Sequence, residues 1–128
     1  MEKKEDEIGQ LESLKKIILS KLNSIKRKGF DDKAVDEFSL AFRIFLLKFL
    51  KLNYEFTEEE LDREIEKSHI GNDIKNRIKD ISNLLVESKY GGKSIEKSEF
   101  KKILEDSIQI VNSVKEKKEK KIERKEHA

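Results

Sequence analysis

Hydrophobic residues recur along the chain at intervals of three and four, the spacing that places side chains on one face of an α-helix. The first such block predicts a helix over about residues 5–28. Positive charge in its last turn, followed by Gly29, is typical of a helix end. The apolar stripe of this helix consists of Ile8, Leu11, Leu14, Ile18, Leu22 and Ile25.

A second predicted helix begins at Asp31 or Asp32 and runs to about Asn53, and it is apolar on two sides. The broad side consists of Val35, Phe38, Ala41, Phe42, Phe45, Leu46, Phe49 and Leu52, and the narrow side of Leu40, Ile44 and Leu47. A helix apolar on both sides is normally central, so we expect helix one to cover the narrow side and the later helices the broad one. The alternative is that the narrow stripe stays exposed and binds a partner.

Three further helices follow. Thr57 and Glu60 have capping-box spacing and predict a helix over 57–70. Asn72 or Asp73 is expected to cap a fourth helix, over 73–90, and Ser98 a fifth that runs to about residue 114. The fold class is therefore all-α, a single five-helix bundle over 1–114 with helix two at its centre.

Charge is distributed unevenly between this body and the last residues. Residues 115–128, "KEKKEKKIERKEHA", carry seven basic and four acidic side chains, so they hold more than the chain's whole net charge of +2. They are predicted to form a charged extension, either helical or disordered. Nucleic-acid binders usually carry a basic face on the folded part, which this distribution does not favour.

The chain contains no cysteine, which excludes disulfides, thiolate catalysis and cysteine-ligated metals. The N-terminus has no apolar signal core, and the most apolar run, residues 40–52, is shorter than the roughly 20 residues that a membrane span needs. We therefore expect a cytoplasmic protein with no membrane span in this chain.

The segment "YGGKS", residues 90–94, ends as a phosphate-binding P-loop does. A P-loop needs a glycine at the position of Glu87 and a strand before it, and the sequence has neither. The interpretation that remains is the end of helix four, with the glycines supplying a left-handed residue.

Other candidate chemistry is weak. Residues 55–66 hold seven carboxylates and one arginine, more typical of a solvated helix face than of an acid–base pair, although a surface for a cation or a basic partner is the alternative. Neither His69 nor His127 has partners at metal-ligand spacing. The sequence predicts no catalytic residue, metal site or cofactor.

Helices three and four also have the layout of a helix-turn-helix. In that alternative Lys75, Arg77 and Lys79 of the second helix would contact nucleic acid. The acidic residues of the first helix would then lie near the phosphate backbone, which lowers affinity.

Three segments together resemble a known family. They are "FLLKFL", "FTEEELDREIEK" and "LVESKYGGKSIEKSEFKKILEDS". The pattern is similar to the C-terminal cytosolic helical domain, of unassigned function, in bacterial and archaeal transglutaminase-like and BatD-type membrane proteins. It has a Thr-x-x-Glu-Leu helix start (Thr57, Glu60, Leu61), a Tyr-Gly helix end (Tyr90, Gly91) and a restart at Ser98, Glu99 and Phe100. The resemblance covers about 38–114, and it implies an assembly or docking role without catalysis.

Together these observations predict a non-enzymatic protein–protein interaction or assembly module. Leu40, Ile44 and Leu47 are the candidate contact residues for a protein partner. The sequence leaves open whether that partner is a second copy of the chain, and it leaves nucleic acid as the alternative through Lys75, Arg77 and Lys79.

Overall fold

A computed structural model describes the backbone of residues 2–114 and the side chains of residues 9–114. This part of the chain forms five α-helices and no strand, so the all-α prediction is confirmed. The predicted charged extension at 115–128 lies outside the described residues. The helices are α1 (Glu2–Lys28), α2 (Asp32–Phe49), α3 (Glu58–Lys67), α4 (Asn72–Tyr90) and α5 (Lys97–Ser113).

Helices α1 and α2 are joined by a short turn that the sequence predicts well. Gly29 has a φ of 94°, a left-handed conformation that glycine adopts without steric cost. Asp31 is the N-cap of α2, and its Oδ1 accepts a hydrogen bond from the backbone amide of Ala34 at 2.7 Å. With so short a connection, α1 and α2 form an antiparallel hairpin.

Helix α2 ends at Phe49, four residues before the predicted end at Asn53, so that boundary is wrong. The chain turns because Lys51 adopts a left-handed conformation with a φ of 58°. The amide of Leu52 then donates to the carbonyl of Leu47 at 2.8 Å, the hydrogen bond that closes a Schellman-type helix end. A lysine occupies the position where glycine is usual, and for that reason the sequence gives no signal of this end.

The predicted capping box of α3 is confirmed. Thr57 Oγ1 accepts from the amide of Glu60, and the Glu60 carboxylate accepts from the amide of Thr57. The helix is shorter than predicted and ends at Lys67. The residue that caps α4 is Gly71, not Asn72 or Asp73, and it makes no side-chain capping hydrogen bond.

The segment "YGGKS" ends α4 at Tyr90, as predicted. Gly92 has a φ of 71°, and the amides of Gly91 and Lys93 both donate to the carbonyl of Glu87. A Cβ atom at position 91 would lie 2.9 Å from that carbonyl oxygen. Both glycines therefore serve the helix end.

Helix α5 begins at Lys97, with Glu96 as its N-cap in place of the predicted Ser98. The Glu99 carboxylate accepts a hydrogen bond from the amide of Glu96 at 3.1 Å. The difference of two residues is within the usual variation of helix boundaries.

The core is one continuous buried cluster to which all five helices contribute side chains. Helix α5 packs against α1, α2 and α4, while α3 packs against α4. Phe38 and Phe45 are fully buried, and Phe38 meets Phe100 edge-on with ring centres 5.9 Å apart. Lys15 of α1 also donates to the carbonyl of Val114 at 3.1 Å, which ties α1 to the end of α5.

Candidate partner-binding surface

The three residues predicted as partner contacts lie on the outward side of α2. The side chain of Leu40 is 55% exposed, whereas Ile44 and Leu47 are half-buried and pack against the core. The expectation that helix one covers this stripe is therefore wrong for Leu40. Its physical reason is the position of α1, which packs along the side of α2 and leaves the outward edge open to solvent.

An ion pair beside this stripe shows which residues of the two helices lie opposite each other. Lys21 Nζ of α1 lies 3.1 Å from Glu37 Oε2 of α2. In an antiparallel hairpin, the direction toward the N-terminus of α1 is the direction toward the C-terminus of α2. Ile17 is four residues before Lys21, and Leu40 is three residues after Glu37. Ile17 on α1 and Leu40 on α2 therefore lie at the same level of the hairpin, one turn from the ion pair.

Sequence reasoning missed Ile17. Its side chain is 65% exposed, the most exposed aliphatic side chain among the large hydrophobic residues of the described part. The sequence does contain a signal for Ile17, because this residue lies outside the apolar stripe of α1. Its neighbour Ile18 belongs to the stripe and is buried, whereas an apolar residue beside the stripe does not reach the core. We name Ile17, Leu40, Ile44 and Leu47 together the α1–α2 surface.

The ion pair is partly enclosed. Glu37 Oε2 has almost no access to solvent, and Lys21 is its partner through a charge contact. The close contact with Lys21 and its charge lower the pKa of Glu37 below its usual range, against the opposing effect of burial. The nearby charges of Lys28 and Lys33 act in the same direction as Lys21. Lys21, Lys28 and Lys33 thus place positive charge around this carboxylate.

The basic residues of the helix-turn-helix alternative are engaged within the protein. Lys79 Nζ lies 2.6 Å from a carboxylate oxygen of Glu66, at the end of α3. Lys75 Nζ donates to the backbone carbonyl of the same residue at 3.3 Å. Arg77 donates to Gln109 on α5 at 2.6 Å and forms an ion pair with Asp73. The three side chains therefore lie where α4 meets α3 and α5.

The acidic helix α3 lines an open cleft of about 570 Å³, together with the turn that follows α2. Both signs of charge line it, since Lys51, Arg63 and Lys67 accompany Glu59, Glu60 and Glu64. Burial and the charge of Asp62 raise the pKa of Glu58 on the same helix. Within the described residues, no three His, Asp or Glu side chains converge in a way that could hold a metal ion.

Comparison with known proteins adds no assignment: no protein-family model, no curated protein and no solved structure matches the chain. The resemblance to the cytosolic domain of transglutaminase-like and BatD-type membrane proteins stays a prediction. Among the helices between residues 2 and 114, none combines the length and apolarity needed to cross a membrane.

Proposed function

We propose that this protein is a non-enzymatic interaction module whose α1–α2 surface binds a helix of a protein partner. The observation that carries the proposal is the exposure of Ile17 and Leu40, at 65% and 55%, on adjacent helices at one level of the hairpin. Single exposed apolar residues are normal on protein surfaces, whereas neighbouring ones that continue into half-buried side chains form a contiguous patch.

The shape of the surface supports a helical partner. Two antiparallel helices leave a groove between them, and amphipathic helices bind such grooves through apolar anchors three and four residues apart. Leu40, Ile44 and Leu47 repeat at that spacing on one wall of the groove. Ile17 lies on the neighbouring helix α1, at the level of Leu40.

Nucleic-acid binding through α4 has no comparable support. Each of Lys75, Arg77 and Lys79 already contacts an acceptor within the protein. A phosphate would have to compete with those contacts, and the acidic α3 lies beside them.

Leu40→Glu tests the proposal, with Tyr90→Glu as the matched control. Tyr90 is 75% exposed at the C-terminal end of α4 and does not belong to the α1–α2 surface. Both variants should unfold within about 0.5 kcal/mol of the wild type, because neither side chain is a core residue. Urea unfolding checks this first.

The three proteins are then compared for partners by affinity purification with quantitative mass spectrometry, and for self-association by sedimentation velocity. We expect a partner that is recovered with the wild type and with Tyr90→Glu, and that Leu40→Glu loses by roughly tenfold or more, as for a central interface residue. Equal recovery of the same proteins with all three variants, together with an unchanged sedimentation profile, would contradict the proposal.

A further inference from the structure

The α1–α2 surface is bordered by positive charge. On a helix, residues three, four or seven positions from a given residue share its face. Around Ile17, Leu40, Ile44 and Leu47, these positions hold more cations than anions. Within the two helices, the cations are Lys21, Lys33, Arg43 and Lys48, and the anions are Asp36 and Glu37.

Two of these lysines have no carboxylate partner. Among the side chains of residues 9–114, no carboxylate lies within ion-pair distance of Lys33 or Lys48, and both lysines are exposed. Lys21, by contrast, is paired with Glu37. Arg43 is occupied by the carbonyls of the turn before α3. Lys33 and Lys48 are named here the lysine border.

Small side chains lie beside the exposed isoleucine of α1. Ser20, Ser13 and Ser24 are three, four and seven residues from Ile17 on the same face. Serine side chains leave room for the backbone of a third helix to approach α1 closely. Across the groove, the larger Leu40 and Ile44 would lie between the side chains of that helix.

We infer that the partner of this surface is an acidic amphipathic helix, with apolar anchors for the α1–α2 surface and Asp or Glu residues opposite the lysine border. The inference rests on the proposed function and adds the chemistry of the partner. Complementary charge favours this occupant, because the unpaired lysines would repel a basic helix and attract an acidic one. A second copy of the chain would set one lysine border near another.

A helix fits this surface better than a lipid headgroup layer does. Only two of its four apolar side chains are more than half exposed, and serines occupy much of the rest of the face on α1. Stable attachment to a membrane surface requires a broader apolar face together with its basic residues.

The test uses two synthetic helical peptides of about 20 residues with the same leucine stripe at helical spacing. One carries glutamate on both sides of the stripe and the other carries lysine. Each is titrated into the isotope-labelled full chain, and the amide shifts are followed at ~50 mM and ~300 mM salt. The shifts should concentrate at residues 13–24 and 33–51.

We expect the glutamate peptide to bind at least tenfold more tightly than the lysine peptide, and its affinity to fall as salt rises. Leu40→Glu should abolish binding of the glutamate peptide, whereas Tyr90→Glu should keep it. The double charge reversal Lys33→Glu/Lys48→Glu should reverse the preference between the two peptides. A variant that is only destabilised would not show this reversal of preference between the two peptides.

Each other outcome overturns the inference in a distinguishable way. Equal binding of both peptides at this surface would leave the proposed function standing and refute the acidic partner. Absence of shifts at the surface with either peptide would count against both proposals. Binding to vesicles containing phosphatidylserine, lost in Leu40→Glu, without peptide binding would assign the surface to anionic lipid. Shifts at the same residues that depend only on protein concentration would assign it to a second copy.

Discussion

The guanidinium carbon of Arg43 lies 3.9 Å from the centre of the Phe56 ring, and Nη2 donates hydrogen bonds to the backbone carbonyls of Tyr54 and Phe56. One side chain of α2 thereby holds the turn that leads to α3. The two oxygens lie at 3.0 and 3.2 Å, and Phe56 is buried beneath the cation. No aliphatic or lysine side chain can reproduce this combination of planar cation and paired donors.

Replacing Arg43 by Met should lower the free energy of unfolding by about 1–3 kcal/mol, because charge-assisted hydrogen bonds and a cation–π contact are lost together. Lys48→Met removes a cation from the same helix without removing either contact, and it should leave the urea midpoint nearly unchanged. A loss in Lys48→Met as large as in Arg43→Met would contradict this account.

Arg43→Met should also change the pKa of Glu58. Burial and Asp62 raise the pKa of Glu58, and the charge of Arg43 opposes them. In Arg43→Met the opposing charge is gone, so the pKa of Glu58 should rise further. A carboxyl NMR titration measures this directly, and an unchanged pKa would mean that Arg43 does not act on Glu58.

Lys51 is the one residue other than glycine with a positive φ among the described residues. Lys51→Gly should therefore raise the free energy of unfolding by about 1 kcal/mol, since glycine adopts the left-handed conformation without the steric cost. Lys48→Gly, in the last turn of the same helix, should lower it by a similar amount. If Lys51→Gly destabilises the protein in urea unfolding, the lysine contributes a contact that outweighs its backbone cost.

Ser107 is fully buried on α5, and its hydroxyl has no hydrogen-bond partner among the described residues. Ser107→Ala should raise the free energy of unfolding by about 1 kcal/mol, because an unsatisfied buried hydroxyl is removed at little loss of volume. Ser98→Ala on the exposed side of the same helix controls for the higher helix propensity of alanine. A decrease in thermal stability for Ser107→Ala would show that the hydroxyl is satisfied.

The Glu66–Lys79 pair predicts how stability depends on pH. The hydrogen bond and charge of Lys79 lower the pKa of Glu66, and the hydrogen bond of Glu66 raises the pKa of Lys79. Because the pKa of Glu66 is lowered, the stabilisation that the pair gives the folded state is lost as pH falls through the folded-state pKa of Glu66. Because the pKa of Lys79 is raised, the same stabilisation is also lost as pH rises through the folded-state pKa of Lys79.

Glu66→Gln should consequently reduce the free energy of unfolding near neutral pH. It should also weaken the dependence of this free energy on pH in both the acidic and the basic range. Urea unfolding of wild type and variant across the pH range checks this. Glu59→Gln, on the same helix and without an ion pair among the described residues, is the matched control. Parallel pH profiles for wild type and Glu66→Gln would show that the pair contributes nothing.

The helices themselves could be predicted from the sequence because their signals are local. Apolar spacing gives each helix, and the Thr57–Glu60 capping box and the glycines at 29 and 92 give several of the ends. The end of α2 could not be predicted, because it depends on distant contacts. Arg43 holds the carbonyls of the following turn, and Lys51 adopts a left-handed conformation for which a lysine in the sequence gives no signal.

The candidate surface was predictable only in part, for a related reason. Periodicity shows that Leu40, Ile44 and Leu47 share one side of α2, but it cannot show which helix covers that side. That depends on where α1 packs, and the Lys21–Glu37 pair that shows the register is formed by two residue types that are common on any surface. Ile17 becomes significant only once this register is known.

The bond between Lys15 and the carbonyl of Val114 has a consequence for how the chain is made. Helix α1 packs against α5, and the 65 residues 50–114 follow the end of α2 before α5 is complete. At a synthesis rate of about 5–20 residues per second, the α1–α2 hairpin waits for the whole of α5 for roughly 3–13 s. During that interval the aromatic side of α2, which includes Phe38, faces water. The nascent chain thus passes through a stage at which a chaperone has a long apolar surface to bind, and that stage ends only when residue 114 leaves the ribosome.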